Sequence, residues 1–466
     1  MAEFLDVEGD LAVALRRVSD HTEFVEVTAQ SEVGLDVRLD RTTTQVTPAP
    51  RIAGAVFRAW AGDHWEEVAA SRLEPGPLSE VTGELIGRLS TRTARRRAPP
   101  GRPPSDRREA PPPPGTPLRD TDAEALLELG RTWQSWAMGT AGIVEAQVVL
   151  GGHEDRRLYL NSAGGRRLQT LPRIFAFVAP IAMENGRVEY ESARAGGLGG
   201  TELFDQITEE IVRQKAREAL ELLQAAEPPS GTLNVILDPS TSGTFAHESF
   251  GHGTEADQFV RERSYLKPLF GSVVAPEELS ILDDGSWPGG FGTLYFDDEG
   301  TPTQRTLLID RGRFVGALHD RTTAEAFGAR PTGNARRSDY LGRVWVRMTN
   351  TMVAGGQWSL EELLKEAGDG ILLETATSGI EDPLGGLMQI RVKKGRRIEH
   401  GTLGPLVSSM ALSGRVLDVL KDVRGVGKTT GPTMEVGGFC GKGHYDYIPV
   451  GSGGPYLLTR ATVGRA

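Results

Sequence analysis

A chain of 466 residues is too long for one ordinary domain and long enough for two domains with full hydrophobic cores. Its formal net charge of −11 argues against nucleic-acid binding as the main activity, since phosphate-binding surfaces need clustered positive charge. No apolar run reaches the roughly 18 residues of a membrane span, and the first ten residues lack the basic and apolar regions of a signal peptide, so a cytoplasmic protein is expected. The 58 glycines and 28 prolines predict many turns and short strands, hence an α+β chain.

In chain order, residues 11–18 read as a short amphipathic helix, and 24–27, 35–39 and 52–60 as strand-sized runs separated by polar or Gly/Pro turns. Residues 81–89 return to helix, which makes an N-terminal α+β unit with an antiparallel sheet. From 95 to 117 the chain is rich in Arg and Pro with almost nothing to bury, and it predicts an exposed, poorly ordered insertion of polyproline character. Its alternatives are a docking tail and a surface-loop insertion; the small entropy cost of long loops favours the second.

Asp120 or Thr121 can cap a helix that runs to about Met138, and strands follow at 144–150, 157–161, 168–179 and 187–192 as a meander. Residues 203–225 form the clearest helical pattern, with Phe204, Ile207, Ile211 and Ala219 on one side. Pro228 and Pro229 stop it, which places a domain boundary between 1–228 and 229–466. Beyond it, 233–237 reads as a buried strand, ended at Asp238-Pro239, and a polar turn through Gly243 leads into the helix of residues 244–257. Short strands at 290–296, 306–309 and 313–318, with helices at 360–367 and 415–421, predict a strand-rich, barrel-like second domain carrying that helix.

Residues 244–257 gather groups that can bind a metal and move a proton, in the pattern His247-Glu248-x-x-x-His252. Two imidazoles can hold a zinc ion while the carboxylate beside the first takes a proton from a metal-bound water. The spacing is unusual. On a regular helix, residues five apart project about 140° from each other, so convergence requires a local distortion. Gly251 allows one, whether a π-bulge, a break or close approach of another backbone. Catalytic zinc normally takes three protein ligands. The one cysteine, Cys440, lies in a Gly-rich run and is either a buried filler or a reactive or ligating thiolate.

The zinc motif is followed by Glu255-Ala256-Asp257, then Asp297-Asp298-Glu299-Gly300-Thr301-Pro302, Gly333-Asn334-Ala335-Arg336-Arg337, Met348-Thr349-Asn350-Thr351 and Gly437-Gly438-Phe439-Cys440-Gly441-Lys442. In content and order this closely resembles the TldD/PmbA family of metallopeptidases, also called modulators of DNA gyrase, and the match is specific across 232–466. The resemblance implies a TldD-type catalytic subunit with His247, His252 and Cys440 on zinc and Glu248 as general base. It also implies unfolded or short peptides as substrates, including peptide precursors, cut in a channel between two subunits. The partner would be a second copy or a PmbA/TldE-like subunit without the metal motif.

Glu255 and Asp257 are either acceptors that orient an imidazole N–H or ordinary helix charges. Arg336, Arg337 and Asn350 can bond a peptide backbone or terminus, with a structural ion pair as the alternative. His444 falls where the family pattern commonly has Gln, and it is a further candidate near the metal. His21, His64, His153, His319 and His400 have no ligand-spaced companions and read as surface or structural. The rival to a peptidase is a non-catalytic dimer subunit or regulatory interaction protein with a structural or absent metal. The intact Glu248 favours the peptidase, because a structural site has no use for an adjacent base.

Overall fold

The computed structural model describes residues 4–48, 52–91, 98–101, 103–428, 438–443 and 446–465. Among them, no helix is long and apolar enough to cross a membrane.

The first half of the chain builds a nine-stranded sheet around three long strands, Val25–Leu39, Ile143–Asn161 and Arg166–Glu184, which pair antiparallel in that order. Each of the first two had read as two short strands. Their apolar ends are real, but a polar middle joins them: Gln30, Ser31 and Glu32 pair in register with Arg157, Arg156 and Asp155. One end of the sheet is covered by helices Phe4–Ser19 and Pro75–Ser90, which bury Leu11, Leu78 and Leu85 against Val27 and Phe57. The other end is covered by helix Ala123–Met138, which buries Trp133 against Phe204 and Val148. Two separate apolar cores therefore share one set of strands, and the polar stretch between them is free for another purpose.

The described part of the Pro/Arg-rich segment is mostly exposed or half-buried and is not a free excursion. Arg107–Glu109 adds a parallel strand beside Arg166–Leu168, Asp106 pairs with Arg167, and the Asn161 amide donates to Pro104 O at 2.7 Å. The open edge of strand Arg166–Glu184 satisfies its backbone groups. Residues 95–97 and 102 lie outside the described residues. The helix expected at 203–225 is two elements, a 3₁₀ turn Thr201–Gln206 and an α-helix Glu209–Leu223, because Thr208 caps the second.

In the second half, strands Gly231–Leu237, Gly370–Asp382, Leu387–Glu399, Met410–Arg415 and Leu457–Arg465 pair in sequence, and the last returns to pair with the first. This closes a five-stranded barrel, in line with the strand-rich, barrel-like expectation and with the α+β class as a whole. A six-stranded sheet lies alongside, with Ile281–Asp284, Asn350–Val353, Asp446–Gly453 and Gly438–Lys442 as consecutive members. Residues 290–296 are not a strand. Gly290 and Thr293 close turns, and the Asn350 side chain accepts from Gly292 N at 3.0 Å.

The polar middle of the N-terminal sheet grips the loop Asp297-Asp298-Glu299 of the second half. Arg157 reaches Asp298 at 2.7 Å, Arg58 pairs with Glu299, and Arg321 bonds Glu26 at 2.6 Å, all with the Arg321 and Glu299 side chains at most 1% exposed. Removing one member strands the others in a dry interior. Arg321→Met is therefore expected to cost about 3–5 kcal/mol of stability, read as a lower urea midpoint; an unchanged midpoint would mean that water solvates Glu26 and Glu299.

Candidate metal centre

The helix that carries the site begins earlier than the sequence reading placed it. Strand Gly231–Leu237 ends at Asp238, whose carboxylate accepts from Thr241 N at 2.7 Å, and Pro239 takes the first helical position. Asp-Pro is thus the N-cap and first-turn pair of helix Pro239–Ala246, not a turn. Gly243 lets this helix lie against strand Asp446–Gly453, since a Cβ there would come 2.3 Å from Gly453 N.

At His247 the helix widens. Residues His247–Gly251 form a π-helical turn in which the His252 N–H bonds to His247 O, a link of i to i+5. A tighter 3₁₀ turn, His252–Thr254, follows. The wide turn brings residues five apart onto one side, and the two imidazoles meet edge to face with centroids 4.9 Å apart. Gly251 permits this through close approach rather than through unusual dihedrals: its φ is −57°, and a Cβ would lie 2.0 Å from Met348 Sδ.

Cys440 arrives from strand Gly438–Lys442, 188 residues away, with Sγ 3.4 Å from His252 Nε2. One ligand atom each from His247, His252 and Cys440 lies within 4.8 Å of the others. Burial raises the Cys440 thiol pKa, but the neighbouring His252 and His247 outweigh it and hold the thiol well below its ordinary range. For His252, burial is outweighed by Cys440 and Glu255, which push the imidazole well above its usual value. The cluster is thus electrostatically arranged around a thiolate. His247 Nδ1 is buried with no hydrogen-bond partner among the described residues. Two imidazoles, one with an unpartnered buried nitrogen, and a thiol fit a soft-to-borderline cation.

Glu248 faces a cleft of about 260 Å³ whose walls include His247, Ser378, Gly379 and Phe439. Gly379 makes room for it, since a Cβ there would meet Glu248 Cγ at 2.4 Å. Glu255 is fully buried and lies 3.4 Å from His252 Nδ1. Burial raises the Glu255 carboxyl, yet Lys442 and His252 dominate and hold it well below the usual carboxylate range. Lys442 donates to Glu255, to Asp257 and to Val346 O, at 2.8, 2.8 and 2.9 Å.

The other candidates fare differently. Arg336 bonds Met348 O and Pro449 O, and the Asn350 amide donates to Asp284 O and Thr293 Oγ1; both residues are buried and their bonds are internal. Arg337 bonds Gly342 O at 3.0 Å. His444 lies outside the described residues. His319 is buried beside Thr323 and burial pulls it down to about 4.

Three residues near the site were not read from the sequence. Lys442 could have been found from its i, i+2 relation to Cys440 on a strand. Arg347 bonds Cys440 O and lies 3.7 Å from Glu255, but nothing in the sequence marks it. Glu381, whose carboxylate oxygens have no partner among the described residues, is pushed well above the usual range by burial, and it too carries no local signal.

Residues 230–464 match the model of the PmbA/TldA metallopeptidase C-terminal domain. The metalloprotease MJ0996 of Methanocaldococcus jannaschii is 36% identical over 308 residues, which cover 66% of this chain and 67% of that one. A metalloprotease of Methanothermobacter thermautotrophicus is 34% identical over 331 residues, covering 70% and 71%. Among solved structures, TldE of Thermococcus kodakarensis superposes with a TM-score of 0.79 at 17% identity, covering 98% of this chain and 100% of that one, a likeness of fold. Fold, site and relatives together define a metallopeptidase. The chain belongs to the PmbA/TldD family, as the resemblance had implied.

Gly251 and Met348 offer a test of the turn. Gly251→Ala is expected to overpack the contact by about 1–3 kcal/mol, displace one imidazole and lower metal content by elemental analysis. Met348→Ala added to it should restore metal, and a single variant with full metal content would show that the turn does not depend on this contact.

Proposed function

We propose that the chain is a zinc-dependent peptidase that hydrolyses unfolded or short peptides, including peptide precursors. The observation that carries the reading is the convergence of His247, His252 and Cys440 beside a cleft lined by Glu248. Two imidazoles and a thiolate suit zinc and leave a fourth position for water or substrate. A relative from Saccharolobus solfataricus, 29% identical over 252 residues, is named a zinc metalloprotease TldD homolog.

When bound, zinc supplies a Lewis acid that acidifies water and polarises a carbonyl. The protein's own groups do the rest. Glu255 accepts from His252 Nδ1 and so fixes the ring with Nε2 toward Cys440, while Lys442 holds Glu255 in place. Glu248 takes the proton of the attacking water and passes it to the leaving amine.

An extended peptide has a place to lie. Strand Gly370–Asp382 pairs with Gly231–Leu237 only at 371–373, Asp238 and Ser240 take the Thr375 and Ala376 N–H groups, and among the described residues 377–379, which line the cleft, have no strand beside them on that edge. Added-strand binding there gives backbone affinity with loose sequence demands. We further propose a division into domains 1–228 and 229–466, a cytoplasmic location, and a dimer with a second copy or with a PmbA/TldE-like subunit. The TldE likeness supports the last as a matter of fold.

Glu248→Gln is expected to lower kcat by about 10²–10⁴-fold with metal content unchanged, whereas Cys440→Ser should lose the metal. Both are read by elemental analysis beside cleavage of an unfolded peptide, with each proposed partner supplied. Wild-type rates in Glu248→Gln would remove that residue from the base role, and full zinc in Cys440→Ser would remove the thiolate from the site.

A further inference from the structure

Arg194 belongs to strand Ala193–Leu198 of the N-terminal sheet, yet it lines the cleft together with His247, Glu248 and Gly379. Its position is fixed from both sides. The strand is tied to the second half through Leu198 N to Gly289 O at 3.0 Å, and nearby Glu191 pairs with Lys394 of the barrel at 3.0 Å. The side chain lies over its cross-strand partner Phe177, 5.7 Å from the ring, and Nε donates to Ser192 Oγ at 3.2 Å.

These contacts hold the stem and leave the two terminal nitrogens without a carboxylate partner among the described residues. Other arginines where the two halves meet are committed to acids, as Arg58, Arg157 and Arg321 show. The described cleft residues include hydroxyls at Thr377 and Ser378, the Phe439 ring and the Glu248 carboxylate, and Arg194 is the one Lys or Arg among them.

We propose that Arg194 receives a carboxylate of the peptide, so that the cleft selects substrates presenting one near the scissile bond. The Nη1/Nη2 edge of a planar guanidinium binds a carboxylate in a bidentate pair while Nε stays on Ser192. The overall charge of −11 works against acidic ligands, which makes a local cation the means of accepting them. The carboxylate is either the C-terminus of the peptide or an Asp or Glu side chain; the chemistry is shared. This deepens the peptidase reading and rests on the cleft being a peptide site.

The test measures binding of fluorescent peptides to metal-loaded, full-length Glu248→Gln protein. One pair of peptides differs only in a free or amidated C-terminus, the other only in Asp or Asn. The carboxylate member of at least one pair is expected to bind about tenfold tighter, with the advantage lost in Arg194→Gln and partly kept in Arg194→Lys. The discriminating pair identifies the source. No discrimination in either pair, or discrimination that survives Arg194→Gln, overturns the inference. Wild-type cleavage of the neutral, amidated peptide is scored separately. Cleavage without selectivity leaves the peptidase reading intact and removes this one, whereas selective binding without any cleavage does the reverse.

Discussion

The site depends on one backbone hydrogen bond, from His252 N–H to His247 O. A helix with 3.6 residues per turn separates residues five apart by about 140°, so neither imidazole could follow the other toward a shared ion. Widening a single turn by one residue removes the mismatch, at the cost of poorer packing inside the turn. Tertiary contacts offset that cost. Met348 fills the space over Gly251, Phe250 meets Phe314 edge to face at 4.9 Å, and Phe245 is buried in the same core. The turn is therefore a property of the packed barrel and sheet rather than of the segment alone. Metal affinity and folding of the second half are linked for the same reason.

The N-terminal sheet contributes through a continuous run of polar contacts. Its Arg157 bonds Asp298, which also accepts from Arg337 N, while the adjoining Asp297 accepts from Ala335 N. Arg336 between them bonds the carbonyl of Met348, the residue packed on Gly251, and Arg347 bonds the carbonyl of Cys440. Arg336, a candidate for holding a peptide, and Arg347 here bond backbone carbonyls on both sides of the metal cluster. For Arg336 the side chain is buried and its bonds go to backbone carbonyls, which favours a structural role. Arg194 differs because it is exposed and lines the cleft.

Legibility followed the range of the physics. His247, Glu248 and His252 were readable because their chemistry is written within six residues, and helix 360–367 lies where it was expected, opened by a Ser359–Glu362 capping box. Strands 25–39 and 143–161 each look like two short strands in the sequence because a polar middle reads as a turn until the second half of the chain is present to bury it. The start of the metal helix was missed by weighing Asp238-Pro239 as a breaker rather than as a cap, and the sheet-docked strand Arg107–Glu109 has no local apolar signal at all. The approach of Cys440 to His252 is a product of topology: a barrel strand, a helix and a sheet edge must all be in place first. Only the family resemblance carried it.

Strand alternation explains how one short edge strand serves two purposes. Cys440 and Lys442, two apart, point to the same face, where one meets His252 and the other bridges Glu255 and Asp257. The ammonium thereby neutralises the carboxylate that orients His252, and it does so from the strand that supplies the thiolate. Any shift of this strand moves ligand and counter-charge together, so the ring's hydrogen bond and the sulfur's position stay matched. Phe439, between Gly438 and Cys440, points the other way, is 54% exposed and lines the cleft. A shift of register by one residue would exchange these roles, putting an aromatic ring against His252 and both charged partners into solvent. The five-pair ladder with Asp446–Gly453 is thus as much a determinant of the metal centre as the π-helical turn opposite it.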